Sequence, residues 1–172
     1  MLYSSATTRR SSGTLNSLGD LHAIHVVMPP QLHGAQHRDR PYLEGLARRL
    51  NDHVSWEVLP EEMSSDDQQR RFAAADLVLA GRYHPAVFAI GTGRPLVALA
   101  YEHKTTGLME EAGLGDLVLS SDTITAPELE KLVHDVFVHR DRVGTRVRAA
   151  REELVARSAR TNRLVDEALG TP

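Results

Sequence analysis

The chain has 172 residues, 41% apolar and 25% charged, with a formal charge of −3 at pH 7 and no cysteine. A chain of this size and composition can bury an apolar core as an ordinary soluble domain, and one domain is the simplest division. The slight acidic excess argues against nucleic acid as a partner, the missing cysteines exclude disulfides and thiolate metal sites, and no apolar stretch approaches transmembrane length.

Residues 1–20 are rich in Ser, Thr and Arg, with Asp20 as their one acid. Arg9-Arg10 has the look of a twin-arginine signal, but the apolar segment such a signal needs is missing. His22 and His25 interrupt the only candidate run, and Met28-Pro29-Pro30 ends it. The composition therefore predicts a disordered or linker-like start over residues 1–20 and a domain over residues 21–170. Leu21 to Met28, with its β-branched centre, is predicted as the first strand of the sheet. The loop that follows, Gln31 to Arg40, leaves the carboxyl end of that strand, where ligands bind in open α/β sheets. His37, Arg38 and Asp39 are thus candidates for the acceptor side of a cleft, with a mobile polar loop as the alternative. His33 and His37 stand four apart, as a zinc site on a helix requires, but Gly34 disfavours a helix and no third ligand has a defined spacing.

Pro41 to Leu50 carries Tyr42, Leu43, Leu46 and Leu50 at amphipathic-helix spacing, and Val54 to Leu59 alternates like a strand, with Trp56 expected in the core or at an interface. Ser64 and Asp67 have capping-box spacing at the start of a helix. Next comes the stretch on which the chain is organised. Leu77 to Ala80 reads as a strand, Gly81-Arg82-Tyr83-His84 as a break, and Pro85 as the start of a helix that ends at Gly91. Leu96 to Ala100 is apolar throughout, as a strand covered on both faces would be, and Tyr101-Glu102-His103-Lys104 leads into a helix from Thr105 to Ala112. The βαβ order delivers both loops to one sheet edge, so Arg82, His84 and Lys104 share it. A guanidinium, an imidazole and an ammonium near a helix amino terminus suit a multiply charged anion such as a phosphate or carboxylate. Taken singly, such residues are more often solvated loop charges or, for His84, a loop residue that caps the helix. Beyond Gly113, Leu117 to Leu119 reads as a short strand. Thr125 and Glu128 form a capping box for a helix with Leu129, Leu132, Val133, Val136 and Phe137 on its core stripe and His134 on its surface. Arg142 to Leu169 reads as a long surface or docking helix. The alternation of strands and helices gives the α/β class with helices on both faces of the sheet.

The run from Asp76-Leu77-Val78 through Arg82-Tyr83-His84, with Gly93-Arg94-Pro95, Tyr101-Glu102-His103-Lys104 and Gly107 to Gly113, resembles the carboxyl-terminal half of the polysaccharide pyruvyl transferases. That family shows Arg-Leu-His, Gly-x-Pro and Tyr-x-x-Lys in this order. The resemblance extends over roughly Leu21 to Leu169, with the specific motifs in the central block. Tyr83 replaces the usual leucine, and Pro85 removes one backbone N–H from the helix start. The resemblance implies a Rossmann-like three-layer domain with a mostly parallel sheet, like the C-terminal lobe of a two-lobed GT-B fold. It implies transfer of a pyruvyl group from phosphoenolpyruvate to two hydroxyls of a sugar in a polysaccharide or its precursor, in cell-surface or exopolysaccharide biosynthesis. His84 would be the catalytic acid/base, and Arg82, Tyr83 and Lys104 would bind phosphoenolpyruvate. Tyr101 would join His37, Arg38 and Asp39 on the acceptor side. No metal and no cofactor beyond the donor substrate are expected. The partners would be a carbohydrate or lipid-linked sugar acceptor and an N-terminal lobe that this chain lacks, in the cytoplasm or peripheral to the inner face of the membrane. Two alternatives stay open. One is the nucleotide-sugar-binding lobe of a GT-B glycosyltransferase, with Glu102 and Glu110 about the donor, and the other is an inactive lobe that binds an anion without chemistry.

Overall fold

The computed structural model describes residues 5–28, 40–60 and 62–169. They divide into two compact units, with boundaries after Arg71, Ser120 and Asp135. The first unit holds α1 (Ser5–Leu21), β1 (His25–Met28), α2 (Arg40–Ala47), β2 (Ser55–Val58), most of α3 (Ser65–Ala73) and the first turns of α6 (Ala126–Val138). The second holds β3 (Val78–Ala80), α4 (Tyr83–Thr92), β4 (Leu96–Ala100), α5 (His103–Glu111), a 3-10 turn at Gly115–Leu117, β5 (Val118–Ser120) and α7 (Arg140–Leu169).

In the first unit β1 and β2 pair in parallel, His25 opposite Ser55 and Met28 opposite Val58. Met28, Leu46 and Ala47 form its buried centre, with Leu15, Val26, Leu43, Leu50 and Val58 packed against them. The linker-like start expected from composition is instead a helix from Ser5 onward. Its small polar residues satisfy themselves inside the helix: Ser12 Oγ donates to the Arg9 carbonyl at 3.1 Å and Thr14 Oγ1 to that of Arg10 at 3.0 Å. Ser11, Ser12, Thr14 and Leu18 are buried. Asn16 ties the helix to the segment after α2, donating to the Arg49 carbonyl at 2.9 Å and accepting from the Asn51 amide at 2.8 Å. Gly19 permits close approach, since a Cβ there would lie 2.6 Å from Val54 Cγ2. Tertiary packing thus outweighs the poor helix propensity of serine, threonine and glycine. Trp56, expected in the core or at an interface, is 47% exposed on β2.

In the second unit the sheet order is β3-β4-β5, all parallel, with Ala80 opposite Ala98 and Ala98 opposite Val118. Central β4 is buried at all five positions, as its unbroken apolar run predicts. The chain is α/β with parallel strands, but the described strands form two short sheets, where the sequence led us to expect one. Apolar runs report which faces of a strand are covered and carry no record of which strand pairs with which edge.

Helix α4 begins two residues before Pro85 and continues past Gly91 to Thr92. The proline is tolerated because the first N–H groups of any helix have no intrahelical acceptor, and the first bond here is Ala86 N–H to the Arg82 carbonyl at 3.5 Å. The stop is Gly93, at φ 71°, with its N–H on the Ile90 carbonyl at 3.0 Å and that of Arg94 on Ala89 at 2.9 Å. Pro95 cannot continue the helix, and it lies against Gly144 of α7, where a Cβ would come within 3.5 Å of Pro95 Cγ. Helix α7 buries Val143, Gly144, Val147 and Ala150. Arg146 holds Asp116 through two hydrogen bonds at 2.9 and 2.7 Å, which keeps the Asp116 carboxyl below the usual aspartate range. From Arg151 onward α7 is almost wholly exposed.

Candidate functional site

Because β3 and β4 run parallel and in register, both end at one edge of the sheet. Past that edge each chain turns into a helix whose N-cap is extended backbone: Arg82 at φ −148°, ψ 166° for α4, and Glu102 at φ −142°, ψ 150° for α5. Neither side chain makes a capping hydrogen bond. Arginine and glutamate are poor cappers beside serine, threonine, aspartate and asparagine, so the sequence leaves the first amides of both helices without a side-chain cap. Helix amino termini carry partial positive charge and take anions, and here two of them open on one strand edge. Pro85, third residue of α4, has no N–H to contribute.

The side chains at this edge form one cluster. The Lys104 ammonium lies 5.4 Å from the centroid of the Tyr83 ring and 3.3 Å from Glu102 Oε2. Tyr83 meets His84 edge to face at 5.8 Å, and the His84 ring lies 6.5 Å from that of Phe88. Phe88 in turn rests on buried Phe72 at 5.4 Å, which anchors this face of α4 to the unit's interior. His84 is exposed, while Arg82, Tyr83 and Tyr101 are partly covered. Thr105, in the first turn of α5, is fully buried, and its Oγ1 has no hydrogen-bond partner.

The structure therefore brings together Tyr83, His84 and Lys104, with Arg82 at the head of the same helix and Tyr101 at the end of β4. His33, His37, Arg38 and Asp39 lie outside the described residues. Among the described residues no cluster of three or more histidines and carboxylates is suited to a metal ion, and no helix is long and apolar enough to cross a membrane. Sequence reasoning treated Lys104 as an open cation and missed its pairing with Glu102. Two-residue spacing is no signal for such a pair, because side chains at i and i+2 do not face each other on a helix. Thr105 was missed because nothing in a sequence marks a hydroxyl that packing will strand. Glu110 sits in the last turn of α5, beside Gly115 and about 12 Å of helix rise from Glu102.

The sequence model of the polysaccharide pyruvyl transferase family matches residues 9–103, beginning inside α1 and ending one residue short of Lys104. The amylovoran biosynthesis protein AmsJ of Erwinia amylovora is 26% identical over 112 residues, which are 63% of this chain and 27% of AmsJ. The aligned part thus spans about a quarter of that protein's length. No solved structure gives a significant match. Since the family match takes in more than half of the 172 residues, the chain belongs to the polysaccharide pyruvyl transferase family.

Proposed function

We propose that this chain supplies the phosphoenolpyruvate-binding part of an enzyme that attaches pyruvate as a cyclic ketal to a sugar of a surface or secreted polysaccharide. The observation that carries the reading is the meeting of Tyr83, His84 and Lys104 at two uncapped helix amino termini, in a chain of this family. A sugar hydroxyl adds to the enol carbon of the donor and gives up its proton to solvent, while a proton from an acid goes to the methylene carbon. A second hydroxyl then displaces phosphate and closes the ketal, its own proton leaving with the phosphate or through solvent. The first step needs a proton donor beside the methylene carbon and fixed positive charge for the carboxylate and phosphate. His84 is our candidate for the donor, and Arg82 and Lys104 for the charge, with the Tyr83 ring supporting the ammonium. Tyr101 is our candidate on the acceptor side.

The rest of the cleft would come from a further lobe of GT-B type, as would the remaining contacts to the anion and the sugar. The test is calorimetric titration at low salt with phosphoenolpyruvate and, in parallel, a panel of nucleotide sugars. Arg82→Ala and Lys104→Ala should each weaken phosphoenolpyruvate binding by about tenfold or more, as loss of a charge-assisted contact does. Binding as tight as the parent's in both variants would put the anion site elsewhere.

A further inference from the structure

The Glu102 carboxylate stands where it should compete with an anionic ligand. Glu102 is the N-cap residue of α5, yet its side chain makes no hydrogen bond to the helix it caps and lies 3.3 Å from the Lys104 ammonium. The carboxylate thus occupies a cation in the first turn of α5, beside the Tyr83 ring. We propose that Glu102 is an internal competitor for the anion site: in the ligand-free protein it neutralises Lys104, and an incoming anion binds by displacing it. Displacement demands little rearrangement, because the two side chains are 29% and 57% exposed and pairs of that kind are weak. It also leaves the fold of α5 alone, since Glu102 makes no capping bond that the helix would lose. An anion bearing two or more charges regains from Lys104, the uncapped amides and Arg82 what the single carboxylate gives up. Glu102 thereby sets the affinity of the site below what its cations alone would give. The proposal rests on the donor reading above only for the identity of the anion.

The experiment titrates the 172-residue chain with inorganic phosphate and with phosphoenolpyruvate at low salt, in the parent, Glu102→Gln, Lys104→Ala and the double variant. Glutamine keeps the shape of the side chain and removes its charge. Glu102→Gln should bind both anions about two- to fivefold more tightly, the range over which exposed pairs act, and the gain should vanish in the Lys104→Ala background. Equal or weaker binding by Glu102→Gln overturns the proposal and leaves the donor reading standing if phosphoenolpyruvate binding still depends on Lys104. A gain that persists without Lys104 also overturns it, because Glu102 would then act by plain repulsion. The converse result, a Lys104-dependent gain with phosphate and no preference for phosphoenolpyruvate, upholds the competitor and removes the donor reading. Absence of binding by either anion to the parent and to Glu102→Gln overturns both.

Discussion

The His84 ring is exposed, edge to face with Tyr83, and two residues into a helix whose amino terminus has no side-chain cap. That position suits two different duties. A histidine there can pass a proton to a reacting carbon, or it can serve as one more cation for a phosphate. Substitution separates them. If His84 is the proton donor of the proposed transfer, His84→Ala should lower single-turnover phosphate release from phosphoenolpyruvate by about 100-fold or more while altering donor affinity far less, and His84→Lys should not restore the rate. Full rescue of rate and affinity by lysine would reduce His84 to an anion ligand. The residues on which this argument turns were legible in the sequence, because a strand's end and a helix's start bracket them and parallel strands share an edge. Their partners were not. The Lys104 ammonium meets Glu102 and Tyr83 through side-chain geometry across a loop and between two helices, which no spacing rule encodes.

Helix α4 shows at the scale of one element how far punctuation residues can be read. Gly91 looks like a stop, but it lies inside the helix with open space where a Cβ would be, and the stop is Gly93. At Gly93 the backbone sits at φ +71°, and a Cβ would come within 2.7 Å of Arg148 Cγ. The two glycines should therefore respond with opposite sign. Gly91→Ala should stabilise the protein by about 0.4–1 kcal/mol, since alanine lowers the entropy of the unfolded chain in a helix it fits. Gly93→Ala should destabilise by about 1–2 kcal/mol, from left-handed strain with some repositioning of the flexible Arg148 side chain. Urea unfolding of the two variants beside the parent measures both. Stabilisation by Gly93→Ala would mean that the helix ends at Gly91, as the sequence alone predicts. The capping boxes, by contrast, were read correctly from three-residue spacing. Ser64 Oγ pairs with Asp67 Oδ2 at 2.6 Å, and the Thr125 amide and hydroxyl meet Glu128 Oε2 at 2.8 and 2.7 Å. Both are local motifs, complete within four residues. Helix α1 was missed for the opposite reason: Asn16 and Gly19 owe their roles to Arg49, Asn51 and Val54, more than thirty residues away.

Across the whole molecule the perturbed carboxylates fall in both units, which gives acid stability a definite sign and two separate reporters. Hydrogen bonds from Thr125 hold the Glu128 carboxyl below its ordinary range in the first unit, where those from Ser64 and then Arg70 do the same for Asp67. The Arg146 guanidinium does so for Asp116 in the second unit. A carboxyl that titrates lower in the folded chain than in the unfolded one binds fewer protons when folded. Its contribution is therefore complete above the ordinary carboxylate range of about pH 4 and drains away as pH falls through the folded value. Stability should be level from about pH 7 to 5 and decline below about pH 4.5, with the exposed pairs contributing only modestly to the slope. Glu128→Gln and Asp116→Asn each remove one such proton-linked contribution, so each should lower stability at pH 7 and flatten the acid decline. Amide hydrogen exchange locates the effect: Glu128→Gln should flatten the acid loss of protection along α6, and Asp116→Asn along β4 and β5. An acid decline in either variant parallel to the parent's would show that the carboxylate concerned titrates alike in the folded and unfolded chain, and that its hydrogen bonds leave no mark on folding.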